Sequence, residues 1–390
     1  MEELKLRLTF GRSGNDDIGE SNATNYYNAI KFRETSGLYP ALLPNDELTY
    51  EMVSQINAGI DLSLWGNRLS TTFDIYKSQT DNLLIYAPLE TYFGYDFRPE
   101  NGGKMKNSGI ELNLFFRLID NPKFKWDIQA SYSTNKNEIV EIKGDKLVTY
   151  VQGGEIVNTI GEQANSFYGY IFEGVYSTTE EAQGAGLVNN KLVNYKAGDA
   201  IFTDLSGPNG SPDGVINNFD KTIIGSSMPE HFGGFNNTVQ YKNWTLNTFF
   251  QFVTGNEIFN YVRSENENMV GLENQSTKVL DRWQFEGQTT EVPRAQFDDL
   301  IGNSSFSTRW IEDGSYLRLK NISLNYTIPN EFLAFKDAQF YISASNIFTI
   351  TKYLGYDPEF GHSHNHISQG IDYGQTPQPR QFILGIKLGL

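Results

Sequence analysis

Apolar and polar residues alternate along about ten segments of this chain, and this period of two constrains the fold more than any other feature. The first segment, 4–10, places leucine and phenylalanine side chains on one face of an extended strand and Lys5, Arg7 and Thr9 on the other. The same pattern recurs at 55–64, 69–76, 110–118, 124–132, 235–241, 244–252, 317–326, 340–344 and 381–390. Segments of this length suit strands that cross a membrane, which need about 9–11 residues.

The connections between these segments alternate in length. Short connections lie at 65–68, 120–123, 242–243 and roughly 328–337. Long ones lie at 11–54, 77–107, 135–230, 254–314 and 347–379. In an antiparallel sheet all short turns then lie at one end and all long loops at the other, as in outer-membrane barrels. The sequence therefore predicts an all-β fold, an antiparallel transmembrane β-barrel that is partial, with about ten strands and long extracellular loops.

Polar and charged residues occupy the second face of the predicted strands. They include Lys5, Arg7, Asp61, Asp74, Glu111, Asp127 and Gln129. Such a face suits a water-filled lumen. Within 317–326 the apolar parity slips between Leu319 and Ile322, which predicts a β-bulge.

Two other folds produce alternating strands. A soluble β-sandwich, such as a cell-surface glycan-binding module, also buries one face of each strand. Its strands are usually about 5–6 residues long, and its loops do not sort by length between the two ends. A small closed barrel that acts as a pore is the third alternative, and detergent dependence would separate both barrels from the sandwich.

Composition excludes several classes of protein. Mean hydropathy is −0.44 and no run of 18 uncharged apolar residues occurs, which excludes a membrane-spanning helix. The net charge of −16 argues against nucleic acid as a partner. Cysteine is absent, so disulfides and thiol catalysis are excluded, and no catalytic fingerprint occurs, which predicts a protein that is not an enzyme. The N-terminal residues contain no secretory signal, so we expect that an exported form begins further upstream.

Eight local motifs, in consistent order, carry a resemblance to a known family. They include LKLRLTFGRSGNDDIG at 4–19, NGGKMKNSGIELNL at 101–114, YLRLKNISLNYTIP at 316–329 and PQPRQFILGIKLGL at 377–390. The other four lie at 48–84, 166–177, 213–235 and 346–359. Together they resemble the C-terminal part of SusC/RagA-type TonB-dependent outer-membrane transporters, and the match runs along nearly all of residues 1–390.

The resemblance implies a location, a function and partners. Members of this family form barrels of about 22 strands in outer-membrane lipid, with a plug domain inside. It implies uptake of oligosaccharides or peptides, a SusD-like surface lipoprotein as a lid, and energy supplied through TonB. The plug and the TonB-contacting segment have no counterpart here. We therefore expect that the 390 residues alone do not transport.

Within the predicted extracellular loop region 135–230, one turn has the oxygen spacing of a calcium loop. Gly214 stands at the sixth position, where such loops turn sharply, and Val215 offers its carbonyl at the seventh. The remaining donors are Asn209, Ser211, Asp213, Asn217 and Asp220. Calcium binding and a structural turn without metal both fit this spacing. Three alternating histidines, His362, His364 and His366, suggest a second metal site or simply a polar loop.

Aromatic residues in the long loops are the candidates for substrate contact, because sugar rings stack on them and peptides pack against them. The candidates are Tyr92, Phe93, Tyr95, Phe97, Phe167, Tyr170 and Tyr356. Packing within the loops or a membrane-interface girdle is the alternative role. The motif from Tyr353 to Glu359 resembles a recurrent family sequence, and turn geometry is its predicted role.

Overall fold

Ten strands follow one another across a single sheet, each antiparallel to its neighbours. The computed structural model describes residues 1–16, 27–32, 35–40, 43–89, 92, 94–95, 97–144, 146–329, 337–360 and 368–389. The ten strands are Glu3–Asn15, Glu51–Leu64, Leu69–Pro88, Phe97–Asp120, Phe124–Ile142, His231–Tyr241, Trp244–Thr254, Tyr316–Thr327, Asp337–Ser345 and Gln381–Gly389. Every strand predicted from the alternation is present, and the predicted antiparallel order is confirmed.

The pairing register of the strands places apolar side chains in rows that run across the sheet. Residues directly opposite each other in an antiparallel pair project from the same face. Leu6 opposes Ile60, which opposes Phe73, and the row continues through Leu112 and Tyr132. Apolar side chains on this face are exposed, as are Leu6 and Ile60, or half-buried, as are Phe73, Leu112 and Tyr132. We call it the outer face, and its opposite the lumenal face.

The predicted β-bulge is confirmed in the eighth strand. Phe249 pairs with Asn321 and Phe250 with Leu319, so Lys320 has no opposite residue. The extra residue accounts for the slip in apolar parity, because the strand resumes alternation one position later.

Several strands are longer than their alternation predicts. The segment 77–107 is not a long loop: the third and fourth strands continue through it, and only 89–96 connects them. The fifth strand likewise extends to Ile142, so the long loop region begins at residue 143 rather than 135. Ladder hydrogen bonds do not require apolar side chains, so pairing continues beyond the part of the strand that alternates.

The long segments carry their own secondary structure. A four-stranded sheet contains Lys146–Val151, Gly154–Thr159, Ser166–Gly169 and Thr222–Gly225. Smaller pairs join Tyr27–Phe32 to Thr35–Pro40, Phe172–Val175 to Ala200–Phe202, Val188–Asn189 to Val215–Ile216, and Glu257–Phe259 to Ile311–Asp313. A short strand, Thr349–Thr351, pairs with the beginning of the eighth strand. We call the described residues of 143–230, 255–315 and 346–380 the loop body.

In the part of the chain that the structure describes, helices are few and short. The α-helices are Thr179–Ala185 and Tyr261–Glu267, and the 3₁₀ turns are Asn218–Asp220, Thr277–Asp281, Phe297–Asp299 and Thr308–Trp310. In the first helix the Thr178 side chain accepts the Glu181 N–H, and Gly186 ends the helix at a φ of 67°. Among the described residues, no helix is long and apolar enough to cross a membrane.

Three apolar clusters give the loop body a core of its own. The largest side chains lie in the cluster of Phe167, Phe259 and Trp310, packed with Ile156 and Ile371. The second cluster surrounds Tyr176, Tyr195 and Phe202, and the third contains Met269, Val279 and Val292. The loops are therefore a packed structure above the sheet rather than extended chain.

The described strands do not form a sandwich. In a sandwich the apolar residues of the alternating strands would be sealed between two sheets, whereas here Leu384, in the last strand, is 78% exposed. Among the described strands, the first pairs only with the second and the tenth only with the ninth, so the sheet is open rather than a small closed barrel.

Candidate functional site

The lumenal face of the sheet is largely polar, with Phe115 and Phe249 as apolar members, and lines an open cavity of about 700 Å³. Its lining includes Asp61, Ser63, Thr72, Asn113, Gln129 and Asn236. Register explains this composition, because Asp61 opposes Thr72, which opposes Asn113 and then Ser131. A hydrated solute finds hydrogen-bond donors and acceptors along the whole width of this face.

An ion-pair cluster lies at one side of the lumenal face. Arg7 Nε lies 2.9 Å from Asp61 Oδ2, and Arg7 Nη2 lies 2.8 Å from Asp74 Oδ2. Gly59 stands between these groups, and a Cβ there would collide with both Asp74 Oδ1 and Arg7 Nη2. The glycine therefore makes room for charges that three neighbouring strands share.

A second charged cluster attaches the loop body to the sheet. Arg318 opposes Gln251 and so belongs to the lumenal face, yet its side chain is almost completely buried. It pairs with Asp357, and its Nη1 lies 2.7 Å from Glu359 Oε2. Lys320, the bulged residue, places its Nζ 2.8 Å from Glu359 Oε1. Segment 353–359 thus lies across the lumenal face at this point.

The role of the Tyr353–Glu359 motif is therefore larger than turn geometry. Tyr353 donates a hydrogen bond of 2.6 Å to Asp372 Oδ2, and burial together with this bond raises the pKa of Tyr353 above its ordinary value. Sequence reasoning did not identify Arg318 and Lys320 as the partners of this motif. The only hint in the sequence was that Arg318 and Lys320 are basic residues next to the point where the apolar alternation shifts by one position.

The seven aromatic candidates for substrate contact lie in different places. Tyr92 and Phe97 are exposed, Tyr95 is half-buried near them at the end of the long third and fourth strands, and Tyr356 is exposed in segment 353–359. Phe93 lies outside the described residues. The structure does not bring the six described candidates into one site.

Two of the candidates belong to the interior of the loop body. Phe167 is fully buried, so a substrate would reach it only by displacing the aromatic cluster around it. Tyr170 is half-buried with its ring centroid 5.4 Å from that of Phe202. Burial, followed by the nearby charges of Glu155 and Asp220, raises the pKa of Tyr170 to about 12.

The calcium-like turn is closed by hydrogen bonds from backbone N–H groups. Asp220 Oδ1 accepts from Leu205 N at 2.8 Å, and Asp220 Oδ2 accepts from Asn217 N at 2.7 Å. Asp213 Oδ1 accepts from Val215 N at 3.0 Å. Asn209 and Ser211 are exposed, whereas Asp220 is buried.

Metal-binding geometry is not evident in the described part of the chain. There, no three His, Cys, Asp or Glu side chains lie close enough to bind one ion. The three histidines at 362, 364 and 366 lie outside the described residues. Calcium binding at 209–220 remains a prediction.

Ten long antiparallel strands, apolar on the outer face and polar on the lumenal face, define an outer-membrane β-barrel protein. Residues 1–347 match the model of the TonB dependent receptor-like β-barrel family, and the chain belongs to that family. The predicted outer-membrane location and the predicted resemblance are thereby confirmed.

Relatives and solved structures agree with this assignment. The chain is 32% identical to TonB-dependent receptor P3 of Formosa agariphila over 98% of its own length and 39% of the relative. It is 28% identical to TonB-dependent receptor SusC of Bacteroides thetaiotaomicron, covering 100% of the chain and 38% of SusC. The RagAB peptide transporter structure superposes with a TM-score of 0.81 at 27% identity, covering 99% of this chain and 40% of that one, in its C-terminal part. The chain thus spans about two fifths of the length of these relatives.

Proposed function

We propose that this chain takes part in the import of oligosaccharides or peptides across the outer membrane. The observation that carries the proposal is the polar lumenal face with its cavity of about 700 Å³ beneath a packed loop body. A polar surface on strands whose other side faces lipid is what hydrated nutrients require along their path across a membrane.

The relatives support the same function. The matching proteins are named as receptors, and the superposed structure is named as a peptide transporter. By resemblance, a SusD-like surface lipoprotein covers the loop body, and TonB supplies energy through residues outside these 390. The proposal includes no catalytic role and no nucleic-acid partner.

The test is uptake by cells that express this protein as its gene encodes it. We expect accumulation of a fluorescent oligosaccharide pool or a fluorescent peptide pool, and loss of accumulation when the proton gradient is dissipated. Cells that express the 390 residues alone should show no uptake. Accumulation that is insensitive to the proton gradient would contradict the proposal.

Calcium at 209–220 is an accessory proposal. A cation there would compete with backbone N–H groups for the Asp220 and Asp213 oxygens, so weak binding is expected. Calorimetry with calcium chloride tests it, and the absence of heat at millimolar concentration would end it.

A further inference from the structure

Three lysines lie together on the outer face of the sheet. Lys77 belongs to the third strand, Lys106 to the fourth and Lys136 to the fifth. In the pairing register Lys77 opposes Ser108, and Ser108 opposes Lys136. Lys106 lies two residues before Ser108 and therefore projects from the same face. The three lysines thus surround Ser108, and we call these four residues the basic patch.

The neighbours of the patch in sequence project to the lumenal face. The Tyr76 hydroxyl donates a hydrogen bond of 3.0 Å to Asn135 Oδ1 across the fourth strand. Asn137 is 2% exposed, and its Oδ1 accepts the Ala164 N–H of the loop body at 2.9 Å. Because successive side chains of a strand alternate between faces, the basic patch projects from the opposite side of the sheet.

The basic patch borders the apolar band of the outer face. From the short turn toward the long loops, Phe73 and Ile75 precede Lys77 on this face. Lys77 also opposes Ile56, and both isoleucines are 49% exposed. Apolar side chains on this face meet hydrocarbon, and a lysine beside them extends its charged end toward water. The patch therefore lies where the headgroups of the outer leaflet meet the sheet.

The charge of the basic patch is not compensated. Within the part of the chain that the structure describes, no Asp or Glu oxygen lies within 4 Å of the three ammonium groups. Glu138 opposes Lys106 in the register but does not pair with it. Elsewhere on the fourth strand Lys104 is compensated, since its Nζ lies 3.4 Å from Asp81 Oδ1 and 3.6 Å from Glu141 Oε2.

Arginines of the lumenal face differ from the basic patch in this respect. Arg7 Nε lies 2.9 Å from Asp61 Oδ2, and Arg117 Nε lies 2.9 Å from Asp127 Oδ1. The whole chain carries a net charge of −16, but salt screens charges more than about 8 Å away at physiological ionic strength. The basic patch is therefore locally positive on an acidic protein.

The spacing of the lysines suits a single small anion. Neighbouring strands lie about 4.8 Å apart, so the Cα atoms of Lys77 and Lys136 are about 10 Å apart. Two lysine side chains can converge across this distance, and Lys106 reaches the same point from the adjacent strand. Lys77, Lys136 and Ser108 are exposed, and Lys106 is half-buried.

We infer that the basic patch binds a phosphate group in the headgroup of an outer-leaflet lipid. Three ammonium groups and the Ser108 hydroxyl supply hydrogen-bond donors for the phosphate oxygens. The acyl chains of such a lipid would pack on the apolar band beside the patch, including Ile56 and Ile75. A free phosphate ion would gain nothing from that band. This inference is independent of the import proposal.

The test measures lipid binding by native mass spectrometry. The protein, purified in a neutral detergent as its gene encodes it, is titrated with diphosphorylated lipid A and with the same lipid after removal of its phosphates. We expect about 100-fold weaker binding of the dephosphorylated lipid. Inorganic phosphate at millimolar concentration should not displace the phosphorylated lipid.

Substitution of the lysines should weaken this binding. A single Lys77→Gln or Lys136→Gln change should weaken it about fivefold, and the triple variant that also carries Lys106→Gln about 100-fold. Protease resistance of the triple variant should be unchanged. A matched triple variant replaces three exposed lysines outside the patch by glutamine and should bind as the wild type does. Its positions are Lys123, Lys191 and Lys242.

Glu138→Gln tests the patch by a gain of affinity. It removes the acidic residue opposite Lys106, so binding of the phosphorylated lipid should strengthen about two- to fivefold. A variant that binds more tightly cannot owe its effect to misfolding.

Several results would overturn the inference. They are equal binding of the two lipids, unchanged binding by the triple patch variant, equal weakening by the matched triple variant, and displacement of the lipid by inorganic phosphate. Unchanged or weaker binding by Glu138→Gln would also overturn it.

Discussion

The sheet and the loop body place their apolar side chains in opposite surroundings. On the outer face of the sheet, leucines such as Leu8 and Leu384 are exposed. In the loop body, Phe167, Phe259 and Trp310 are sealed together. The difference follows from the surroundings, because the loop body must bury its apolar groups against itself in water, whereas the outer face meets hydrocarbon. A substitution in one region should therefore leave the other region intact.

The largest effect is expected from the loop-body core. Phe167→Ala should lower the free energy of unfolding of the loop body by about 3–5 kcal/mol, because it leaves a cavity in a fully buried aromatic cluster. Protease digestion of intact membranes measures it. Phe219→Ala, at an exposed position in the same body, should change little. Equal digestion of the two variants would contradict the packing described for the loops.

The sheet should respond to charge on one face only. Leu112→Arg, on the outer face, should destabilise the inserted sheet by about 2–4 kcal/mol if it lies near the bilayer midplane. Asn113→Arg, one residue further along, lines the lumenal cavity and should be tolerated. Folding titrations in lipid vesicles compare the two. Similar losses for both variants would contradict the assignment of the faces.

Weakening the ion pairs that join segment 353–359 to the sheet should destabilise that segment without unfolding the rest of the chain. Asp357→Ala removes one partner of buried Arg318, and we expect a loss of about 2–3 kcal/mol, below the usual 3–5 because Glu359 still neutralises the arginine. Trypsin should then cut faster after exposed Lys352. Asp281→Ala, which breaks an exposed pair, is the matched control. Unchanged cleavage in Asp357→Ala would show that the junction does not hold segment 353–359.

The smallest effect concerns the hydroxyl of Tyr353. Tyr353→Phe should destabilise the loop body by about 1.5 kcal/mol at neutral pH, because Asp372 loses a buried donor. The pKa of Tyr353 is raised in the folded state, so its contribution is complete below about pH 10 and declines as the pH rises further. The variant should therefore lose less stability than the wild type above pH 10. Tyr356→Phe, at an exposed position, should match the wild type throughout.

Sequence reasoning succeeded where one face of a strand meets an apolar medium. Alternation identified all ten strands and the bulge at Lys320, because each apolar residue reports the face on which it lies. It failed for 77–88 and 97–107, where strands continue without alternation. Pairing there depends on the neighbouring strand rather than on local sequence.

The loop body was not predictable for a related reason. Its contacts join distant residues, such as Asp199 and Arg294, which are 95 positions apart. Nothing local distinguished buried Phe167 from exposed Tyr92 as a loop aromatic. In the turn 209–220, oxygens that accept backbone N–H groups have the same spacing as oxygens that bind calcium. The sequence could therefore suggest candidate site residues in the loops, but it could not predict where those residues lie in the structure.

The most direct test of the two faces is a cysteine scan of residues 110–114 in lipid vesicles, since the chain contains no cysteine of its own. Nitroxide spin labels attached at 110, 112 and 114 before folding into the vesicles should be relaxed more by oxygen, which concentrates in lipid, while labels at 111 and 113 should be relaxed more by a water-soluble nickel chelate. Accessibility that does not alternate, or even-numbered positions sealed from both relaxation agents, would contradict a sheet that lies between lipid and water.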